Sequence, residues 1–390
     1  MMQMAIKESD NKGKAFWKRP ANRSVAAALM VIASLFLIVE GTWGPGLFHH
    51  WTFITIVVLT ILSLGFTVFS NTRKKSYCAL MSHLGLMLVL AGGLIGAISR
   101  TDVQMRVFRD GQKESTAFDA DGKAVTLPFC VELKEFETEY YDDGYSPKQY
   151  TSTLDIDGRR LCSSVNHPAR YRGYRIYQSG YDTIGGSYSI LKIVRDPWLP
   201  VVALGALLLA IAAIVSLKTV WSSWKILPAV VALAIVFTIL SVARIRFDTL
   251  MPALRSLWFV PHLLIYMLAY SIMALSVISA VAALFSKKVP EQLPERLLST
   301  SSSLLLIGIL CGAVWAQQAW GDYWTWDTKE CWAAVTWILT LVATHIPKRR
   351  LLFTILAFIA LQITWYGVNY LPAANKSLHT YISKIENIER

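Results

Sequence analysis

The sequence predicts a polytopic α-helical membrane protein of about nine spans with one small extracytoplasmic β-rich domain. Three observations carry that prediction. The chain of 390 residues is 54% hydrophobic, and its mean hydropathy of +0.43 is one that soluble proteins of this size rarely reach. Its apolar residues form continuous runs rather than alternating ones, and most approach the roughly 20 helical residues needed to cross about 30 Å of hydrocarbon. A single polar stretch, residues 99–197, interrupts the runs and alternates with the period of a strand.

The polar start up to Asn22 leads into the first span, 24–41, with no small-residue cleavage site, so this helix is expected to stay as an anchor. Spans follow at 51–70 and 78–98 before the polar domain, and at 198–217 directly after it. The remaining five are expected at 226–243, 259–285, 301–318, 332–346 and 351–369, the eighth starting within a Trp-rich segment.

The net charge of +12 raises the question of nucleic acid. Position excludes it, because the basic residues gather in short loops between apolar runs and no basic stretch is interleaved with exposed aromatics. The N-terminal tail, Arg73 to Lys75, Lys218 with Lys225, Lys287 with Lys288, and Lys348 to Arg350 all fall on one side, which the positive-inside rule makes cytoplasmic. Arg244, Arg246 and Arg255 depart from the rule by clustering on the opposite side. Residues 99–197 are therefore placed outside. Strands are expected at Tyr150 to Ile156, Tyr174 to Gln178 and Tyr188 to Val194, with turns at Asp121-Gly122, Asp157-Gly158 and Gly185-Gly186.

Five cysteines occur and none forms a CxxC, which argues against a zinc ribbon or a thioredoxin-like centre. Cys130 and Cys162 share the outer domain, where a disulfide and two free thiols are equal alternatives.

Ionisable side chains within a bilayer are costly and call for a reason. His83 lies a turn or two into the third span from its cytoplasmic end, and His345 at the cytoplasmic end of the eighth. His262 starts the sixth span from the outside, and His379 follows the ninth, also outside. Two like-sided pairs suggest an inner and an outer haem site, each with two imidazoles as axial ligands of the iron. Isolated helix-end histidines bonded to water or to a carbonyl are the plainer alternative. His49 and His50 read as interfacial, and His167, in an Asn-His-Pro turn, as structural.

The densest signal runs from Trp320 to Trp332, with Trp320, Trp324, Trp326 and Trp332 interleaved with Asp322, Asp327, Lys329 and Glu330. An aromatic girdle would explain two or three of these tryptophans. Flat apolar rings with charged edges suit a porphyrin, and Arg255 with Arg244 and Arg246 could pair with its propionates.

These residues resemble a known family. Trp320-Gly321-Asp322-Tyr323-Trp324-Thr325-Trp326-Asp327-Thr328-Lys329-Glu330-Cys331-Trp332 is similar to the WWD motif of haem-handling proteins, with Thr328 where a proline is common. Pro252 to Trp258 before His262, Gly367-Val368-Asn369-Tyr370 leading to His379, and Thr344-His345-Ile346 are similar to that family's other histidine segments. Ser82-His83-Leu84-Gly85-Leu86, Val165-Asn166-His167-Pro168 and Tyr171 to Gln178 resemble its B-type subunit. The chain thus resembles a System II cytochrome c synthase with B-type and A-type subunits fused. The B-like part comprises a three-span segment (1–98) and the outer domain (99–197). A fourth span and connector (198–225) lead to the A-like WWD domain (226–390).

The resemblance implies a cytochrome c haem lyase in a bacterial cytoplasmic membrane, with the outer domain and WWD segment on the periplasmic side. Haem b would be held between His83 and His345, and then between His262 and His379, the residues expected to carry the catalytic step. Trp320, Trp324, Trp326, Asp327, Trp332 and Arg255 are the expected haem contacts. The implied partners are haem, apocytochrome c with a CxxCH segment, membrane lipid and, because the thiols must be reduced, a thiol-reducing protein. A haem exporter or carrier without lyase activity needs the same histidines, and a transporter of another solute with a purely structural Trp belt needs none of them.

Overall fold

The computed structural model describes residues 21–44, 51–74, 77–183, 185–217, 227–242, 249–290 and 292–374. Among these, a helix stands at each predicted span: α1 (Ala21–Trp43), α2 (Trp51–Lys74), α3 (Tyr77–Ser99), α4 (Leu199–Leu217), α5 (Leu227–Val242), α6 (Phe259–Phe285), α7 (Leu293–Trp320), α8 (Thr328–His345) and α9 (Arg350–Trp365). Six of them, α1 to α4 with α6 and α7, are long and apolar enough to cross a membrane. The other three are shorter, with α5 and α9 of 16 residues each and α8 of 18.

Helix boundaries follow local chemistry. Pro294 opens α7 in the first turn, where its missing N–H removes no helical bond. Gly321 closes α7 at φ 85°, a left-handed conformation that costs glycine nothing. The chain therefore turns out of α7 immediately after Trp320. Helix α8 begins at Thr328, inside the Trp-rich segment as expected, because Asp327 caps it by accepting from the Glu330 N–H at 2.8 Å.

Close helix contacts rely on small residues, as bilayer packing requires. Helices α3 and α4 cross backbone to backbone: a Cβ on Gly85 would lie 2.8 Å from the Gly205 carbonyl oxygen, and one on Gly205 2.7 Å from that of Gly85. Helix α1 meets α8 at Gly41, where a Cβ would lie 2.9 Å from Cys331 Cβ.

Between α3 and α4 the chain forms one antiparallel sheet of eight strands: β1 (Thr101–Phe108), β2 (Glu114–Phe118), β3 (Ala124–Tyr140), β4 (Pro147–Ile156), β5 (Arg159–Ser164), β6 (Ala169–Tyr171), β7 (Tyr174–Tyr181) and β8 (Tyr188–Arg195). The strand order is β5-β4-β3-β2-β1-β8-β7-β6. The sheet curls until its ends meet, where Ser163 donates to the Ile176 carbonyl at 2.7 Å and Ser164 bridges His167. Val103, Met105 and Val107 alternate into the core, joined there by Val131, Leu154, Ile176, Leu191 and Ile193. Asp157 and Gly158, both with positive φ, form the two-residue turn joining β4 to β5.

The expected strands at 150–156, 174–178 and 188–194 all lie within β4, β7 and β8. Cys130 and Cys162 of the sheet domain are both free. Cys130 is on β3 and Cys162 on β5, with β4 running between them, so no disulfide joins them.

Candidate functional site

A cavity of about 2210 Å³ lies among α1, α2, α3, α4, α7 and α8. It is more than twice the upper end of the roughly 300–1,000 Å³ that encloses a drug-sized ligand. Its walls are mainly aliphatic. His83 of α3 and His345 of α8 line it, as do Trp324 and Trp326 of the loop between α7 and α8. Since His345 ends α8 and Trp326 precedes its start, the cavity extends along the whole helix. At 1.5 Å per residue that is about 27 Å, close to the hydrocarbon thickness.

Each imidazole is oriented by its own backbone. Nδ1–H of His83 donates to the Ala79 carbonyl, and Nδ1–H of His345 donates to the Leu341 carbonyl at 2.8 Å, each one helical turn back. Donation from Nδ1 fixes the tautomer that leaves the Nε2 lone pair as the coordinating nitrogen. His262 has the same arrangement across helices, its Nδ1–H donating to the Gly308 carbonyl of α7 at 2.8 Å. The ring also stands edge-on to Tyr266, with centroids 4.7 Å apart. It fits there because Gly312 has no side chain: a Cβ would lie 2.7 Å from His262 Cε1.

The loop from Gly321 to Asp327 is held from within. The Glu330 carboxylate accepts from the Thr325 N–H at 2.7 Å and from the Thr325 hydroxyl at 3.1 Å. Trp326 adopts φ 61°, a region a bulky side chain avoids, and its ring packs edge-on against Phe53 of α2 and Trp324 at 5.2 and 5.7 Å. The Trp324 Nε1–H is buried on the cavity wall with no partner among the described residues.

The loop is also held from outside. Asp322 forms ion pairs with Arg100, at the end of α3, and with Lys192 of β8. Arg100 also donates to the Gly321 carbonyl at 3.2 Å and to Asp102 at 2.8 Å. Burial alone would lower the Arg100 guanidinium, but the carboxylates of Asp322 and Asp102 outweigh it and raise it. Burial likewise raises the phenols of Tyr177 and Tyr323 beside this cluster, keeping both neutral.

The expected contacts divide into two groups. His83, His345, Trp324 and Trp326 meet at one cavity. Trp320 instead packs on Trp315 at 5.3 Å, beside Phe259 and Leu254. Trp332 is buried against Gly41 of α1, and Asp327 serves as the α8 cap. Arg255 is exposed and donates to the Lys148 carbonyl at 3.2 Å. His262 borders α7 rather than the cavity wall. His379, His49, His50, Arg244 and Arg246 lie outside the described residues.

The sequence motifs did not single out Arg100 and Lys192, which hold Asp322, nor Glu40, 2% exposed near the end of α1 and adjacent to the Gly41 contact with Cys331 and Trp332. An acid inside an apolar run was the signal that pointed to Glu40.

Comparison with known proteins matches two successive segments of the chain to two families, the second beginning ahead of the fourth span rather than at residue 226. Residues 73–190 match the ResB-like family, and residues 198–374 match the family described as cytochrome C assembly protein. The chain is 30% identical over 172 residues to the cytochrome c biogenesis protein CcsA of Guillardia theta, covering 34% of this chain and 56% of that protein. It is 29% identical over 177 residues to that of Mesostigma viride, covering 34% and 57%. With that of Porphyra purpurea it shares 39% identity over 98 residues, 23% of this chain and 30% of the relative. The chain therefore spans little more than half the length of the first two of these relatives.

Proposed function

We propose, from the match of residues 73–190 to the ResB-like family and of residues 198–374 to the cytochrome C assembly protein family, that this chain is a cytochrome c biogenesis protein of the fused System II type that carries haem across a membrane and attaches it to apocytochrome c on the far side. The supporting observation is that His83 comes from the ResB-like segment and His345 from the cytochrome c assembly segment, yet both line one cavity. Neither segment alone supplies the couple, which gives the fusion a chemical reason.

In this reading all nine helices cross the bilayer, with the basic loops cytoplasmic and the sheet domain outside. Haem b enters at the His83 and His345 end, where two imidazoles with fixed tautomers bind the iron from both faces. The cavity leads it toward Trp324 and Trp326. At the outer site His262 and His379 provide the second couple, and the tryptophans stack on the ring. The client's CxxCH thiols then add across the two vinyl groups. Each addition forms one C–S bond and delivers the thiol proton to the neighbouring vinyl carbon, with no net oxidation. The protein's contribution is placement of the two reactants.

Co-expression of the full chain with an apoprotein bearing CxxCH tests this directly. Covalent haem on the partner is the expected result. A haem-loaded chain with an unmodified partner would reduce the function to that of an exporter or carrier. A purified protein with no Soret band would exclude haem handling altogether.

A further inference from the structure

The sheet domain grips two loops of the membrane part, at two separate points. At the first, Asp322 of the Trp-rich loop is held by Arg100 and by Lys192 of β8. Asp322, Arg100 and Lys192 side chains are each only 16% exposed. The same point is reinforced by Tyr177 of β7, whose phenol oxygen accepts from Gln317 Nε2 at 2.8 Å. A Cβ on Gly321 would lie 3.0 Å from the Tyr177 ring, so the loop sits flush on the domain.

At the second point the domain holds the segment leading into His262. Asn166 Nδ2–H donates to the Pro252 carbonyl at 2.8 Å, and the Tyr141 hydroxyl donates to the Leu250 carbonyl at 3.0 Å. Asn166 takes φ 67°, a left-handed conformation that asparagine tolerates. That conformation lies in the Asn-His-Pro turn, whose His167 is exposed. The gripped segment is in turn tied to α7, because Trp315 Nε1–H donates to the Ala253 carbonyl at 2.8 Å.

Both gripped segments lead straight to haem-facing residues: Asp322 is two residues from Trp324, and the Pro252 segment runs into the helix that carries His262. Within the first point, Asp322 and Asp102 balance Arg100 and Lys192. Removing the Asp322 carboxylate leaves a poorly hydrated positive charge and takes away the loop's ion pairs, with only neutral contacts such as Arg100 to the Gly321 carbonyl and Gln317 to Tyr177 remaining. The loop also carries the strained Trp326 backbone, which persists only while its surroundings hold it.

We propose that the sheet domain is a two-point clamp that sets the placement of the Trp-rich loop relative to the His262 segment, with Asp322 and Asn166 as its positioning residues. This rests on the haem-transfer reading for its consequence, but the clamp itself is a statement about loop mobility. Its role is to keep the receiving site in register with the cavity mouth, so that a client docked on the domain meets haem in one fixed geometry.

The test uses the full chain in lipid nanodiscs, as wild type, Asp322→Asn, Asp322→Glu and Asn166→Ala, with amide hydrogen exchange and the Soret band measured on each and holocytochrome yield in cells. Asp322→Asn is expected to raise exchange in residues 321–327 at least tenfold and lower holocytochrome yield at least fivefold. The Soret contribution that depends on His83 and His345 is expected to stay at the wild-type level. Asp322→Glu recovers most of the yield, and Asn166→Ala moves the exchange increase to residues 249–258. Unchanged exchange in Asp322→Asn, or a Soret loss equal to the yield loss, overturns the clamp. A wild type with no haem signal but the same exchange pattern upholds the clamp and rejects the haem reading.

Discussion

His83 and His345, 262 residues apart in sequence, line the same cavity, and each ring is fixed by a hydrogen bond from Nδ1 to the carbonyl of its own preceding turn. Such a bond selects the tautomer whose Nε2 can coordinate a metal, and it removes the need for any other orienting group inside the bilayer. In the proposed function this pairing gives a reason for two segments that match different families to be joined in one chain.

Gly312 makes room for the His262 imidazole, since a Cβ there would lie 2.7 Å from Cε1. Gly312→Ala is therefore expected to displace the ring and break its 2.8 Å bond to the Gly308 carbonyl. Loss of an orienting bond at a metal ligand costs roughly 10–100-fold in binding or activity. Holocytochrome yield should fall by about that factor, while haem held by His83 and His345 stays in place. Undiminished yield would show that His262 orientation is not needed.

His262→Ala and His379→Ala are each expected to abolish maturation. Added imidazole should restore part of the activity by filling the vacant coordination position. The yield of covalent haem on the client, with and without imidazole, measures this. A fully active His379→Ala protein removes that residue as a ligand.

Trp326 holds φ 61°, which costs a non-glycine residue about 1–2 kcal/mol. Trp326→Ala keeps that strain and loses the ring; Trp326→Gly loses both. The glycine variant should therefore be about 1 kcal/mol more stable than the alanine variant in thermal unfolding. Both should lose haem at the outer site more than at the inner one, and equal loss at the two sites would contradict the stacking role.

Gly205 meets Gly85 through backbone, with a Cβ 2.7 Å from a carbonyl oxygen that cannot rotate away. Gly205→Ala should force α3 and α4 apart and cost about 1–3 kcal/mol, the usual range for overpacking. A lower thermal midpoint in detergent, together with weaker haem binding at His83, is the expected outcome.

Much of the architecture was legible in the sequence because it is written in local periodicity. The apolar runs gave each helix to within a few residues, apart from α7, which starts eight residues before its predicted span. Alternation located β4, β7 and β8, and Asp157-Gly158 marked the turn that ends β4. The four-tryptophan segment read as a single surface, but Gly321 in a left-handed conformation and the Asp327 cap bend it, sending Trp324 and Trp326 to the cavity and Trp320 and Trp332 elsewhere. Neither turn alters hydropathy, so no window over the sequence registers the split. The ion pair of Arg100 with Asp322 spans 222 residues, so no local pattern in the sequence connects the two charges. Arg255 looked like a propionate partner because only its side of the membrane could be inferred, not the Lys148 carbonyl that occupies it.

The most direct measurement is low-temperature electron paramagnetic resonance of the purified ferric protein in a His262→Ala background, where haem remains only at the inner site. A low-spin signal of two axial imidazoles is predicted, lost to the same extent in His83→Ala and in His345→Ala. Persistence of that signal when both histidines are replaced together would contradict a shared couple drawn from the two halves of the chain.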